Sequence, residues 1–419
     1  MRAWTRPTVP ALPGSAPLPT LHDTATAERR PTRVVDGAAS LYVCGITPYD
    51  ATHLGHASTY LAFDTLVRIW LDAGVAVTYA QNTTDVDDPL LERAAATGVD
   101  WRDLAASQTD LFRSDMQHLQ VLPPDHYVAV TDVVSDVAEA AAHLLDLGLA
   151  YRVDTPGSSE GDDVYFDVRA AERSTSWHLG LESRYDLETM TRFSAERGGD
   201  PDRPGKRDPL DPLLWRAARD GEPSWPSALS AGRPGWHIEC TVIAQAHLAA
   251  PISVNGGGSD LVFPHHEMSA AHGTAMTGEP YADLWAHTGM VAYQGEKMSK
   301  SLGNLVKVSE LVAAGHDARA VRLAVAGHHY RSDWEWFDAD LEAAEARLDR
   351  WVRWASAADD AASDDEPTPL LAALRRALAD DLDTPSALAA VDARVASGSS
   401  ATAVDLDAVQ ALLGVDLRR

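Results

Sequence analysis

Two short polar motifs, well separated along the chain, carry side chains suited to a nucleoside triphosphate. They are HLGH, from His53 to His56, and KMSKS, from Lys297 to Ser301. Their imidazole, ammonium and hydroxyl groups can hold phosphates and stabilise the charge that develops on an α-phosphate under attack. The order and rarity of the pair predict ATP-dependent activation of a carboxylate.

Lysine usage supports the assignment of KMSKS to phosphate. Of 35 Lys and Arg residues only four are lysines, and two of these are Lys297 and Lys300. A compact ammonium suits a moving phosphate better than a planar guanidinium does. We expect both lysines to follow the β- and γ-phosphates on a closing loop, while His53 and His56 donate hydrogen bonds near the α-phosphate. Mg²⁺ is expected with the ATP, although no magnesium ligand can be assigned.

The only two cysteines, Cys44 and Cys240, indicate a metal site. His265 and His266 follow a glycine-rich turn and could complete it. Two thiolates and an imidazole suit Zn²⁺, one per chain, and leave a fourth coordination position open. Scattered Cys and His residues are more often buried thiols and satisfied imidazoles. The closeness of Cys44 to HLGH in sequence favours the metal.

The segment around HLGH has the pattern of one βαβ unit. Residues 40–45 and 76–81 are predicted strands, and the helix between them has an apolar face with helical spacing, formed by Phe63, Leu66, Val67, Trp70 and Leu71. HLGH then lies at the strand-to-helix turn. Phosphate is held at such turns because a helix N-terminus offers free N–H groups and the positive end of its dipole.

Composition and patterning predict a multi-domain α/β enzyme. The 419 residues are 45% apolar, with no run near the roughly 20 apolar residues of a membrane span. The predicted parts are an N-terminal extension at 1–40, a catalytic domain in two halves at 41–150 and 226–310, a connective insertion at 151–225, and a C-terminal helical domain at 311–419.

The net charge and the N-terminal segment indicate which substrates and which location to expect for this enzyme. The formal net charge is −27, and no basic stripe suited to a long polyanion is visible. The Pro-rich N-terminus lacks the apolar core of a signal peptide. We therefore expect a cytoplasmic enzyme acting on small molecules, with no membrane partner.

Longer motifs resemble the cysteinyl-tRNA synthetase superfamily. The matching segments are YVCGITPYDATHLGH (Tyr42 to His56), PGWHIEC (Pro234 to Cys240), GGGSDLVFPHHE (Gly256 to Glu267), HTGM (His287 to Met290) and KMSKSLGN (Lys297 to Asn304). The resemblance implies a class I, Rossmann-like (HUP-type) catalytic fold with an inserted connective subdomain and a C-terminal helical domain. It also implies adenylation of L-cysteine with ATP, and a zinc that binds the cysteine side chain through Cys44, Cys240 and His265.

Three departures point to a sister family, the ligases that join cysteine to glucosaminyl-inositol in mycothiol synthesis. The fourth zinc ligand of the synthetases, a Glu, is replaced by Ser269, and only 118 residues (419 minus 301) follow KMSKS. The segment ERGGDP (Glu196 to Pro201), followed by Lys206, resembles a motif of these ligases. The resemblance implies small-molecule substrates, no tRNA and a monomeric state.

The same resemblance assigns further residues to the adenylate site. They are Cys44, Gly45, Ile46, Thr47, Thr59, Asn82, Thr83, Thr84, Trp236, Gly258, Ser259, Asp260 and Val291. Trp236 could equally be a core aromatic, and Asp260 could bind either the α-ammonium or the ribose. The run Asp85, Asp87 and Asp88 could be catalytic, but helix capping before Pro89 is the commoner role. Whether His266 or Glu267 serves as a base stays open.

Two rival functions follow from the same motifs. One is a shortened cysteinyl-tRNA synthetase, which an assay of the cysteine acceptor would distinguish. The other is a non-catalytic binding protein derived from a synthetase, which would fail to exchange pyrophosphate into ATP in the presence of cysteine.

Overall fold

The computed structural model describes residues 1–49, 52–298, 303–358 and 366–419. Its strands are β1 Thr20–Asp23, β2 Glu28–Pro31, β3 Ala38–Val43, β4 Ala76–Thr83, β5 His126–Ala129, β6 Ala150–Val153, β7 Asp163–Phe166, β8 Leu213–Ala217, β9 Gly232–Pro234, β10 Val254–Gly258, β11 Trp285–Thr288, β12 Val291–Tyr293, β13 Glu296–Lys297 and β14 Trp334–Glu335. Its helices are α1 Leu54–Asp72, α2 Asp88–Thr97, α3 Trp101–His118, α4 Val134–Asp146, α5 Val168–Ser174, α6 Leu187–Glu196, α7 Trp236–His247, α8 Glu267–Thr277, α9 Val308–Ala313, α10 Ala318–Ala326, α11 Asp338–Ser356, α12 Pro369–Ala379, α13 Thr384–Ala396 and α14 Ala403–Leu413.

A five-stranded parallel sheet organises the catalytic part. Its strand order is β11-β10-β3-β4-β5, so the chain reverses direction across the sheet beside β3. Leu41 pairs with Tyr79, and Val43 with Gly256. The carboxyl ends of all five strands therefore meet at one edge, the position at which open α/β sheets bind ligands. The predicted strands at 40–45 and 76–81 are confirmed as β3, which begins and ends two residues earlier, and β4, which ends two residues later.

Helix α1 follows β3 and is buried around most of its circumference. His53 is its N-cap, and Gly74 lies just beyond its end at φ +78°, a left-handed conformation that glycine adopts without steric cost. One side of the helix packs on the sheet and the other on the C-terminal helices. There Arg68 pairs with Asp64 at 2.7 Å, and Arg322 of α10 contacts the same carboxylate.

The insertion forms a second sheet, antiparallel, in the order β6-β7-β8-β9. Helices α5 and α6 lie between β7 and β8 in the chain. Strand β9 pairs with β8 although it lies beyond residue 225, the predicted end of the insertion. The domain boundaries stay predictions.

The C-terminal part consists of α9 to α14, beside a small sheet of order β13-β12-β14. The predicted combination of a Rossmann-like sheet with helical C-terminal residues is thus confirmed. Among the described residues, none of the helices has the length and apolar character needed to cross a bilayer.

Candidate functional site

A cleft of about 780 Å³ opens at the carboxyl edge of the parallel sheet. It brings together residues that the sequence places far apart. The predicted site residues that line it are Cys44, Gly45, Ile46, Thr47, His53, His56, Thr59, Trp236, Gly258, Asp260 and Val291. Met298, from KMSKS, lies at the same cleft. The cleft therefore joins the first and last motifs of the catalytic part.

His53 and His56 lie on the first turn of α1. The Nδ1 atom of His53 accepts a hydrogen bond from the backbone N–H of Gly55 at 3.1 Å. A neutral His53 ring therefore carries its proton on Nε2 and can donate it. The two rings stack with their centroids 3.9 Å apart. This first turn thus presents imidazole groups to the cleft at a helix N-terminus, which favours an anion.

The KMSKS motif is described only in part. Lys300, Ser299 and Ser301 lie outside the described residues, as does the side chain of Lys297, whose backbone pairs with Ala292. The chain returns to the HLGH turn just afterwards, where Lys307 forms a backbone bridge with His53. The assignment of both lysines to phosphate stays a prediction.

Cys44, Cys240 and His265 form a buried group at the cleft. Their ligand atoms all lie within 4.8 Å of one another. The two Sγ atoms are 4.0 Å apart, and Nε2 of His265 lies 3.2 Å from Sγ of Cys240. Two sulfurs bound tetrahedrally to one zinc would be about 3.8 Å apart, given Zn–S bonds of about 2.3 Å. The donor set and its spacing therefore fit a zinc ion.

Ser269 contributes nothing to this group. Its buried hydroxyl donates to the carbonyl oxygen of His265 at 2.8 Å, one helical turn back. A serine hydroxyl engaged in this way does not replace the carboxylate that the synthetases place here. The three-ligand arrangement inferred from the sequence therefore agrees with the geometry.

Neighbouring groups fix the orientation of His265. Its Nδ1 lies 3.1 Å from Nδ1 of His237, and burial holds the pKa of His237 well below its ordinary value. A neutral His237 can accept the Nδ1–H of His265, which leaves Nε2 of His265 without a proton and directed at the Cys240 thiol. Against the effect of burial, the hydrogen bond from Cys44 lowers the pKa of Cys240 well below its ordinary value.

A second imidazole reaches Cys44. Nε2 of His266 lies 3.2 Å from the Cys44 sulfur, and its Nδ1 lies 2.7 Å from Nε2 of His287. Thr24 Oγ1 lies 2.7 Å from Nδ1 of His287. Burial lowers the pKa of His287 to about 3 and that of His266 well below its ordinary value, so both rings are neutral. One consistent arrangement is donation from Thr24 to His287, from His287 to His266, and from His266 to Cys44.

The Asn82–Thr84 segment supports the cleft from behind and does not line it. The Asn82 side chain accepts hydrogen bonds from the Gly45 N–H at 2.7 Å and from the Tyr42 hydroxyl at 3.1 Å, and donates to Thr84 Oγ1 at 3.0 Å. These contacts fix the loop after β3. Thr83, Thr84 and Ser259 are likewise not among the described residues that line the cleft.

Helix α2 contributes a face of the cleft that the sequence analysis missed. Pro89, Glu92, Arg93 and Ala96 line the cleft at i, i+3, i+4 and i+7 spacing. The helix starts at the carboxyl edge because Asp87, four residues after the end of β4, caps it by accepting from the Asp88 N–H at 2.8 Å. The predicted cap is confirmed. A helix that begins within a few residues of the end of a central strand was the signal in the sequence that could have revealed this face.

Charged residues within and just after the ERGGDP segment have partners in the folded protein. Lys206 lies 3.0 Å from the Asp200 carboxylate and has a side chain only 3% exposed. Arg203 pairs with Asp163 at 2.8 Å. Arg197 bonds backbone carbonyls of the segment that precedes His265. The motif therefore stabilises the insertion and its contact with the metal group.

Comparisons with known proteins identify the class. Residues 31–346 match the family model described as tRNA synthetases class I (C) catalytic domain. Among solved structures, Mycobacterium tuberculosis methionyl-tRNA synthetase in complex with methionyl-adenylate superimposes with a TM-score of 0.61 at 16% identity, over 90% of this chain and 88% of that one. The Agrobacterium radiobacter K84 agnB2 LeuRS complex gives 0.61 at 14% identity, over 90% and 83%. At these identities the likeness shows the fold.

Full-length relatives define the family within that class. An L-cysteine:1D-myo-inositol 2-amino-2-deoxy-alpha-D-glucopyranoside ligase of Clavibacter michiganensis subsp. michiganensis is 62% identical over 100% of this chain and 99% of its own. The protein of the same name from Micrococcus luteus is 57% identical over 100% of both chains. The chain therefore belongs to the class I synthetase family and, within it, to the family of these ligases. The prediction of an enzyme of the ligase class is confirmed.

Proposed function

We propose that this protein activates L-cysteine with ATP and transfers the cysteinyl group to the amine of glucosaminyl-inositol. The observation that carries the proposal is the three-ligand group of Cys44, Cys240 and His265 at the same cleft as HLGH. The names of the relatives supply the acceptor. The expected products are an amide, AMP and pyrophosphate.

The first half-reaction uses the ATP end of the cleft. A carboxylate oxygen of cysteine attacks the α-phosphorus, the bond to the β-phosphate oxygen breaks, and pyrophosphate leaves. His53 and His56 donate hydrogen bonds to the phosphate as its negative charge builds. Lys297 and Lys300 hold the β- and γ-phosphates, and Mg²⁺ accompanies the ATP. Gly258 and Val291 line the adenylate.

Cysteine selection takes place at the sulfur end. Zinc held by Cys44, Cys240 and His265 would offer its fourth position to the substrate thiolate. Serine differs from cysteine by one atom, and a pocket that reads shape alone rejects near-isosteres poorly. Trp236 packs against the His265 ring, with the centroids 4.5 Å apart, and closes this end of the cleft. Asp260, also at the cleft, is suited to hold the cysteine α-ammonium.

The second half-reaction needs room for a cationic, polyhydroxylated acceptor. The α2 face supplies it, because this face belongs to neither the metal group nor the phosphate motifs. Glu92 places an exposed carboxylate there, and Arg93 adds a donor for hydroxyl groups. The ammonium of the acceptor first loses a proton, the free amine nitrogen attacks the carbonyl carbon, the bond to the phosphate oxygen breaks, and AMP leaves. The nitrogen then loses its second proton.

Neither His266 nor Glu267 is suited to take that proton. His266 is buried between Cys44 and His287, and Glu267 is buried and accepts two backbone N–H bonds from the insertion. Neither is among the described residues that line the cleft. We therefore assign both to support of the metal group.

Two assays test the proposal. Cysteine-dependent exchange of labelled pyrophosphate into ATP is expected, and its absence would favour a non-catalytic protein. An acceptor screen with mass detection should then give cysteinyl-glucosaminyl-inositol and no cysteinyl-tRNA. Transfer to tRNA alone would contradict the choice of acceptor and favour a shortened synthetase.

A further inference from the structure

The segment that carries His265 has an irregular backbone. A 3-10 turn, Ser259–Leu261, leads into a π turn, Val262–His266. Phe263, within the π turn, has extended dihedral angles of φ −143° and ψ 137°. Carbonyl groups in such a segment lack the regular partners of a helix or sheet, and buried ones need a donor from elsewhere.

Arg197 supplies that donor from the insertion. Its Nη1 donates to the carbonyl oxygen of Asp260 at 2.6 Å and also to that of Phe263. The guanidinium carbon lies 4.1 Å from the centroid of the Phe193 ring on α6. Stacking on the ring reduces the freedom of the guanidinium, so the two carbonyls receive a donor that is already oriented.

Glu267 connects the far end of the same segment to the insertion. Its carboxylate accepts hydrogen bonds from the N–H groups of Gly180, at 3.0 Å, and Ser183, at 2.8 Å. Glu267 is fully buried. The insertion therefore contacts residues 260–267 before and after His265, through two side chains that do not line the cleft.

We infer that Arg197 is a positioning residue: it holds Asp260 and His265 in the geometry that binds the metal and the substrate cysteine. The HLGH motif, which we expect to bind the phosphates, lies on α1, and among the described residues Arg197 makes no hydrogen bond or ring contact with that helix. Loss of Arg197 should therefore weaken metal and cysteine binding while leaving ATP binding unchanged. The cysteine part of this inference rests on the proposed function, whereas the metal part does not.

Arg197→Ala tests the inference, with Arg192→Ala as the matched control. Arg192 lies on α6, which ends just before Arg197, and over the same Phe193 ring, at 4.9 Å, and among the described residues it makes no hydrogen bond to the His265 segment. Zinc affinity is measured by competition with a chromophoric chelator, and the KM values for cysteine and ATP by pyrophosphate exchange. We expect ~10-fold weaker zinc binding and a comparable rise in the cysteine KM for Arg197→Ala, and no change for the control.

Arg197→Lys keeps the test decisive if the alanine variant does not fold. A lysine retains a cation and hydrogen-bond donors but cannot keep the planar stacking on the Phe193 ring. The zinc affinity and the cysteine KM of this variant should therefore lie between those of the wild type and the alanine variant, with the ATP KM unchanged. Equal changes in the two KM values, or unchanged zinc affinity in the variants, would contradict the inference. A wild-type protein that binds zinc but never exchanges pyrophosphate would contradict the proposed function and leave the zinc comparison valid.

Discussion

At the residue scale, Cys240 and Ser269 decide how many ligands the protein offers to a metal. Cys240 points its sulfur at His265 and Cys44, while Ser269 turns its hydroxyl to a backbone carbonyl. In the function that we propose, the position occupied by a carboxylate in the synthetases would be left to the substrate. The orientation of the Ser269 hydroxyl would thus affect which amino acid the protein selects.

Replacement of Cys240 by Ser should remove zinc and abolish cysteine-dependent exchange, because only two strong ligands would be left. The fold should persist, since the change is nearly isosteric. Metal content by mass spectrometry, exchange and circular dichroism check this. Ser269→Ala is the control and should keep both zinc and activity. A Cys240→Ser protein that activates cysteine at the wild-type rate would contradict a role for the metal in this reaction.

Glu92→Gln should raise the KM for glucosaminyl-inositol by about 10-fold, because one charge-assisted contact to a cationic acceptor is lost. Pyrophosphate exchange should be unchanged, since the adenylate forms without the acceptor. Steady-state kinetics of the full reaction measure the difference. Glu139→Gln, at an exposed position of α4 outside the cleft, is the control. An unchanged acceptor KM for Glu92→Gln would place the acceptor elsewhere.

At the scale of elements, the loop after β3 depends on close backbone contact with the end of β4. A Cβ atom on Gly45 would lie 1.7 Å from the carbonyl oxygen of Asn82, so the two segments would have to separate. Asn82 also fixes Gly45 through its side chain. The loop that carries Cys44 is therefore placed by its neighbouring strand.

We expect Gly45→Ala to lower the free energy of unfolding by ~3 kcal/mol, the upper range for inserting one methyl group into a packed site. It should also weaken zinc binding, because Cys44 would shift with the loop. Urea unfolding and chelator competition measure the two effects. Gly157→Ala, where a Cβ would meet nothing within 4 Å, should be neutral. A fully stable Gly45→Ala protein would contradict this packing argument.

Elements near the motifs were predictable from sequence because their signals are local. The apolar spacing of α1, the glycine beyond its end and the cap at Asp87 are each contained within a few residues. The role of Lys206 was not predictable, because its partner Asp200 becomes evident only once the insertion folds. The face of α2 that lines the cleft was also missed, because its position becomes evident only in the folded protein. Its Glu and Arg residues are indistinguishable in sequence from a solvated helix surface.

The candidate metal site of Cys44, Cys240 and His265 was predictable from the sequence only in part. Cys44, Cys240 and His265 were assigned by resemblance, and the fold brings their ligand atoms within 4.8 Å. The contacts of His266 and His287 behind Cys44 could not be foreseen, since nothing in the spacing of those histidines distinguishes a ligand from a supporting group. Their tautomers follow only from the chain of hydrogen bonds.

At the scale of the whole molecule, buried charges connect the catalytic sheet to the C-terminal helices. Arg68 and Arg322 share the Asp64 carboxylate and also donate to carbonyl groups at the end of α14, including those of Ala411 and Leu413. Burial of these ions is stabilising only while each has its partners. The helical part and the cleft-forming helix α1 therefore form one packed unit.

Asp115 on α3 should make stability depend on pH. It is fully buried, neither of its oxygens has a hydrogen-bond partner of ordinary geometry among the described residues, and the nearby Thr52 hydroxyl offsets only part of the effect of burial on its pKa. Burial raises its pKa from 3.8 to about 7. Between those values the unfolded chain loses the proton first, so stability falls as pH rises. Asp115→Asn should thus gain ~2 kcal/mol over wild type at pH 8, and the gain should vanish near pH 4.

Urea unfolding at several pH values measures this difference. Asp110→Asn, on the same helix but exposed, is the control for loss of a carboxylate that is not buried. A stability difference for Asp115→Asn that is independent of pH would show that the folded protein accommodates the ionised carboxylate.

The central claim is that zinc at Cys44, Cys240 and His265 receives the sulfur of the substrate. X-ray absorption at the zinc edge counts sulfur neighbours directly. We predict two sulfurs at about 2.3 Å in the zinc-loaded protein, three after addition of L-cysteine, and two after addition of L-serine. A count that stays at two with saturating cysteine would contradict the account.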